Sequence, residues 1–212
     1  MTLVPSLIAF LAAAAIVTVT PGMDTALVLR TAAIDGAKRG VAAAFGVGLG
    51  CLVWGASVAL GLGALIAASH AAYLLLRWAG AAYLAWLGLR MLIKPRQALA
   101  PPDPKGPSPS SRGWPAALRR GFFTNLLNPK AGVFYVSFLP MFVPAGYAIT
   151  PFVFLLATIH AIMGVAWLGS LAAATARLGG VFSRPEVVKA LDRVTGCVFL
   201  GFSARLAFFE QA

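Results

Sequence analysis

The sequence predicts an all-α integral membrane protein of six transmembrane helices, built as two inverted three-helix halves with both termini outside. Three observations carry that prediction: a scarcity of charge, long uncharged runs, and the confinement of Lys and Arg to alternate loops. Of 212 residues, 60% are hydrophobic and only 11% are charged. A soluble domain carries about 25% charged residues, so too few are present here to cover a water-facing surface. Residues 1–23, 41–76 and 131–176 contain no Asp, Glu, Lys or Arg. A helix needs about 20 apolar residues to cross a hydrocarbon core of about 30 Å, so the last run is long enough for two crossings.

Taken in order, the predicted spans are residues 4–30, 41–66, 71–93, 121–143, 150–174 and 188–209. The first lacks the basic leader of a cleavable signal peptide, and no polar domain follows it. Of the 17 Lys and Arg residues, all but Arg77 and Arg205 fall in the first, third and fifth loops or in the parts of the spans that adjoin them. The excess of Lys and Arg on the cytoplasmic side places those three loops inside. The net charge of +11 is therefore read as topology, and nucleic acid is excluded as a partner.

Residues 94–115 differ from their surroundings, being rich in proline and serine. Such a segment cannot bury a core and is expected to be a flexible cytoplasmic linker. It separates residues 1–93 from residues 116–212. With an odd number of spans in each, the halves have opposite orientation, the plan of many secondary transporters. Residues 114–123, with basic groups among aromatics, are expected to lie at the membrane interface.

The halves also share a pattern. The first contains Thr20-Pro21-Gly22-Met23-Asp24 and the second Asn128-Pro129-Lys130. Proline is tolerated at the first position of a helix, and Thr and Asn cap the free N–H groups of a new first turn. Each site therefore reads as a helix restart inside a span, with Thr20 and Asn128 as the caps. About 13–15 residues of helix after each proline give about 20 Å, from near mid-membrane to one surface. Both helix starts then face the membrane centre, where their partial positive charge suits an anion. The plainer alternative is that Pro21 and Pro129 only kink continuous helices.

Among polar residues in the spans, Asp24 is expensive: a carboxylate at the centre of a membrane helix costs about 2.5–3.5 kcal/mol. It either pairs with Arg30 or Lys130 near the surface, or binds a substrate ammonium or a coupling proton. Lys130 adds a full charge to the anion site, or snorkels to the interface. Arg77 fits snorkelling. Asn125 and Asn128 supply donors and acceptors. His160 is a candidate proton relay, with a structural hydrogen bond as its alternative. Cys51 and Cys197, far apart in apolar spans, read as small buried hydrophobes. Gly36 with Gly40, and Gly46 with Gly50, place small residues on one helix face for close packing, with dimerisation as the lesser alternative.

These residues resemble the LysE/RhtB family of amino-acid exporters across nearly the whole chain. The resemblance rests on Thr20-Pro21-Gly22-Met23-Asp24, on Arg77-Trp78-Ala79-Gly80-Ala81-Ala82-Tyr83-Leu84, and most specifically on Gly121-Phe122-Phe123-Thr124-Asn125-Leu126-Leu127-Asn128-Pro129-Lys130-Ala131 and Phe138-Leu139-Pro140-Met141-Phe142. It implies export of amino acids or their derivatives across a bacterial inner membrane, driven by protons, without cofactor or resident metal. The expected substrate-binding residues are Pro21, Gly22, Asp24, Asn125, Asn128, Pro129 and Lys130, with Asp24 and His160 as proton-coupling candidates. Partners are then an amino acid and membrane lipid, with a homo-oligomer open. The family usually has a second proline where this chain has Met23, and glutamine where it has Met141; the latter bears on substrate identity. The rival functions are a metal-ion exporter, which needs clustered ligands, and an intramembrane enzyme, for which no nucleophile–base pair is visible.

Overall fold

The computed structural model describes residues 2–95, 113–175 and 184–208. All regular structure among them is helical. In chain order the helices are α1 (Leu3–Val19), α2 (Met23–Asp35), α3 (Ala37–Ala68), α4 (His70–Ile93), α5 (Trp114–Leu126), α6 (Pro129–Val133), α7 (Ile149–Ala173) and α8 (Pro185–Phe208). Beyond α6 the chain stays helical but changes pitch, first to a π-helix at Phe134–Phe138 and then to a 3-10 turn at Leu139–Phe142.

Two stretches, Ala37–Gly61 in α3 and Ile149–Ala173 in α7, are long and apolar enough to cross a membrane. The pair α1 and α2, bent by 51° at its break, adds a third if it is one broken span. Trp78–Ile93 and Lys130–Phe142 are apolar but shorter.

Both predicted breaks are real interruptions. The helix stops after Val19 and restarts at Met23, then stops after Leu126 and restarts at Pro129. Simple proline kinks in continuous helices are thereby set aside. The helix that leads into the fourth predicted span begins earlier than residue 121, because α5 starts at Trp114. Pro115 suits a first turn, where no N–H is needed. Arg120, counted as a loop charge, sits within the helix because its guanidinium donates to Asp35 Oδ2 at 3.0 Å. Residues 114 and 115 are thus helix rather than linker, and residues 96–112 of that linker lie outside the described residues.

The helices of one half pack chiefly on those of the other. α3 lies against α7 and α5, and α4 lies along α8. Glycine makes these crossings possible. A Cβ on Gly46 would sit 2.0 Å from the Leu118 carbonyl oxygen, and one on Gly121 would sit 2.0 Å from that of Ala43. The backbones of α3 and α5 therefore touch where any side chain would force them apart. The α4–α8 crossing is reciprocal: a Cβ on Gly88 would lie 2.8 Å from the Gly196 oxygen, and one on Gly196 would lie 2.8 Å from the Gly88 oxygen. Gly88 and Gly196 are 108 residues apart, as are Pro21 and Pro129.

Gly36, expected to share a packing face of one helix with Gly40, is instead the whole connection between α2 and α3, with φ of 93° and nothing within 4 Å of where a Cβ would lie. Only glycine adopts that conformation without strain. The centre of the molecule is aromatic. Phe134, Phe138 and Phe142 are buried against Phe10 of α1 and Phe199 and Phe202 of α8. Ser6 donates to the Phe142 carbonyl, and Ser203 to that of Ala81.

Candidate functional site at the two helix breaks

The breaks meet. Asp24, in the first turn of α2, points its carboxylate at the second break. Its Oδ2 accepts from Asn125 Nδ2 at 2.9 Å and from Asn128 Nδ2 at 3.1 Å. A negative charge in a first turn is favoured by the helix dipole, and two amide donors replace part of the water it has lost. Its other oxygen, Oδ1, is buried and makes no hydrogen bond among the described residues. That leaves an anionic acceptor available for a further donor.

Asn128 does two things with one amide. Its Oδ1 accepts from the Lys130 backbone N–H at 3.0 Å, capping α6 as its sequence position suggests, while its Nδ2 holds Asp24. The Lys130 side chain crosses the other way. Its ammonium donates to the carbonyls of Val17 and Thr20, both at 3.0 Å. These belong to the last turn of α1, whose carbonyls lack helical partners and carry partial negative charge. Lys130 is thus turned into the protein rather than snorkelling outward.

Thr20 departs from the expected role. It closes α1 instead of opening α2, since its N–H and hydroxyl both go back to the Ile16 carbonyl. Its hydroxyl is also hydrogen-bonded to that of Thr195 on α8. The N-cap of α2 is Gly22, without a side-chain cap. The physical reason is the extra residue: with Gly22 after Pro21, the new helix begins too far along for the Thr20 side chain to reach it.

Around these contacts lies a cavity of about 60 Å³, lined among others by Thr20, Gly22, Asp24, Asn125, Asn128, Lys130 and His160. It has room for a few waters. Val17, Val47, Phe134 and Leu168 give it an apolar wall. The structure therefore brings together Gly22, Asp24, Asn125, Asn128, Lys130 and His160, with both prolines in the adjoining backbone. His160 is buried and its Nδ1 lies 2.9 Å from the Tyr135 hydroxyl. Cys51 is buried, as expected, and lines the same cavity. Cys197, expected to be buried, is exposed on α8. Met141 is buried in the aromatic core, away from the cavity. The side chain of Arg77, on α4, lies outside the described residues.

Tyr135, Cys51 and Thr195 escape a reading of the sequence because their polarity matters only through partners distant in the chain. Asp192, buried on α8, falls inside the sixth predicted span but lacks the neighbouring proline break that draws attention to Asp24. Among the described residues no group of three or more His, Cys, Asp or Glu could hold a metal ion.

The family model for LysE type translocators matches residues 15–209, which takes in both breaks and every cavity residue. The chain belongs to the LysE family of translocators. It is 32% identical to a leucine efflux protein of Klebsiella pneumoniae, over 95% of this chain and 94% of that relative. It is 30% identical to a homoserine/homoserine lactone efflux protein of Salmonella typhimurium, over 96% of this chain and 97% of that relative. An uncharacterised membrane protein of Pseudomonas aeruginosa is 34% identical over 88% of each chain. No solved structure matches. Family membership makes this LysE-type chain a membrane translocator rather than an enzyme.

Proposed function

We propose that this LysE-type protein exports amino acids or their derivatives across a bacterial inner membrane, by proton antiport and alternating access at the cavity between the two breaks. The observation that carries the proposal is the Asp24 carboxylate, held across the breaks by Asn125 and Asn128 with one buried oxygen left for a further donor. A substrate ammonium suits that oxygen. The substrate carboxylate would lie at the start of α2, beside Pro21 and Gly22, and near the Asn128-Pro129 restart, with Lys130 as counter-charge. The apolar wall would receive the side chain. Named relatives that export leucine and homoserine are consistent with such a site.

Proton coupling would arise from competition. Asp24 holds either the ammonium or a proton, and His160 in the same cavity is a second proton-holding group. Alternating access is supported by size: a cavity for a few waters must widen toward one side before an amino acid enters. Six spans in two inverted halves are supported by the matched breaks, by helix pairing across the halves, and by the reciprocal Gly88–Gly196 crossing at the same chain separation as the prolines. Both termini then face outward and the linker inward.

The test is efflux from proteoliposomes loaded with individual amino acids, with and without a pH gradient, for wild type and Asp24→Asn. The variant should insert at normal abundance, bind its two amide partners less well, and lose export, because an intramembrane charged group marks a functional site. Wild-type efflux from Asp24→Asn would falsify the assignment.

A further inference from the structure

Tyr135 lies in the π-helical stretch Phe134–Phe138, a wide turn of the kind that often marks functional sites. Glycine at position 55 lets α3 close on α7 beside the Tyr135 ring. A Cβ there would lie 3.6 Å from Tyr135 Cε1 and 2.2 Å from the Ala157 side chain. Its hydroxyl, fully buried, meets His160 Nδ1 at 2.9 Å. Cys51 and Asn125 line the same cavity as His160, and Asn125 donates to Asp24. Asp24 with Asn125, and Tyr135 with His160, thus form two hydrogen-bonded pairs, and Asp24, Asn125, Cys51 and His160 all line one cavity. The titratable groups around His160 among the described residues are Tyr135, Cys51 on α3, Asp24 on α2 and Lys130 on α6, while α1 brings only Val17, Thr18 and Thr20 to the cavity.

A neutral imidazole has one donor and one acceptor nitrogen. The bond to Tyr135 occupies Nδ1 whichever partner donates, so any proton that His160 exchanges with the cavity passes through Nε2. We infer that Tyr135 is a positioning residue for His160: it occupies Nδ1 and reserves Nε2 for proton exchange with the cavity. This rests on His160 acting in proton coupling, as proposed above.

The experiment is the pH profile of counterflow and of gradient-driven efflux in proteoliposomes, for wild type, Tyr135→Phe, Cys51→Ala and His160→Gln. Tyr135→Phe should keep counterflow within about threefold of wild type, because the ring still fills its slot, while the pH midpoint of driven efflux moves by about half to one unit, the scale of one lost hydrogen bond. Cys51→Ala, which takes no hydrogen bond from the imidazole, should leave it in place. His160→Gln should flatten the profile. If Tyr135→Phe superimposes on wild type while His160→Gln does not, the positioning role fails and coupling at His160 survives. If His160→Gln superimposes, the coupling reading fails first. Should Tyr135→Phe not fold, 3-fluorotyrosine at position 135 keeps the shape and strengthens the donor. A profile unmoved by that replacement overturns the inference, and one moved by it supports a hydrogen-bonding role over a merely structural one.

Discussion

The two helix breaks share a proline yet solve the problem of a broken helix differently. At the second, the residue before proline caps the new helix with its own side chain. At the first, the corresponding threonine closes the old helix and reaches α8, and the new helix starts from an uncapped glycine. The second break is therefore self-sufficient, while the first depends on what the second sends it: an ammonium for the end of α1 and two amides for Asp24. An uncapped helix start facing a cavity is the end better suited to a ligand, because its N–H groups are not spent on a side-chain cap.

That asymmetry can be broken from either side. The largest effect is expected from Lys130→Met, which leaves the last carbonyls of α1 without their cation. Losing a charge-assisted pair of hydrogen bonds costs about 2–3 kcal/mol, so thermal unfolding in detergent should shift down by several degrees as export disappears. An unshifted melting curve would show that the first break does not lean on Lys130. Next comes Asn128→Ala, which removes the α6 cap, worth about 1 kcal/mol, and one donor to Asp24. Export should drop about tenfold, with partial rescue by Asn128→Asp if capping matters more than the bond to Asp24. Thr20→Val should cost less than about threefold in export, since that hydroxyl caps no helix start and a membrane hydrogen bond averages about 0.6 kcal/mol. The smallest change belongs to Gly22→Ala. The φ of −153° suits any residue, and the added methyl would meet Lys130 at 3.8 Å. Export near wild type is the expected outcome; a severe loss would place the substrate backbone directly on Gly22.

Membrane class, the positions of both breaks, the Asn128 cap and close packing at Gly40, Gly46 and Gly50 are legible in the sequence because each depends on local composition or spacing. The role of Thr20 is not, since one intervening residue decides which helix its hydroxyl serves. Nor is the start of α5, where Arg119 and Arg120 look like loop charges until Asp35, far back in the chain, is found beside Arg120. The site was half visible. Asp24, Asn125, Asn128 and Lys130 are conspicuous as polar groups beside prolines, whereas Tyr135 and Cys51 blend into apolar runs and gain meaning only from contacts across the bundle. Met141 shows the converse: a departure from the family pattern that draws the eye, yet lies away from the cavity.

The crossing of α4 and α8 through Gly88 and Gly196 has a consequence for how the chain is made. The two glycines are 108 residues apart, and neither helix can close its backbone contact until the other exists. At about 5–20 residues per second of synthesis, α4 waits about 5–20 s in the membrane with its glycine-bearing face unmatched, and α3 waits similarly for α5 and α7. The first half is therefore a client for whatever shelters half-built membrane proteins, and truncation within α8 should leave a chain recognised as unfinished and degraded, even though every residue of the cavity is already present.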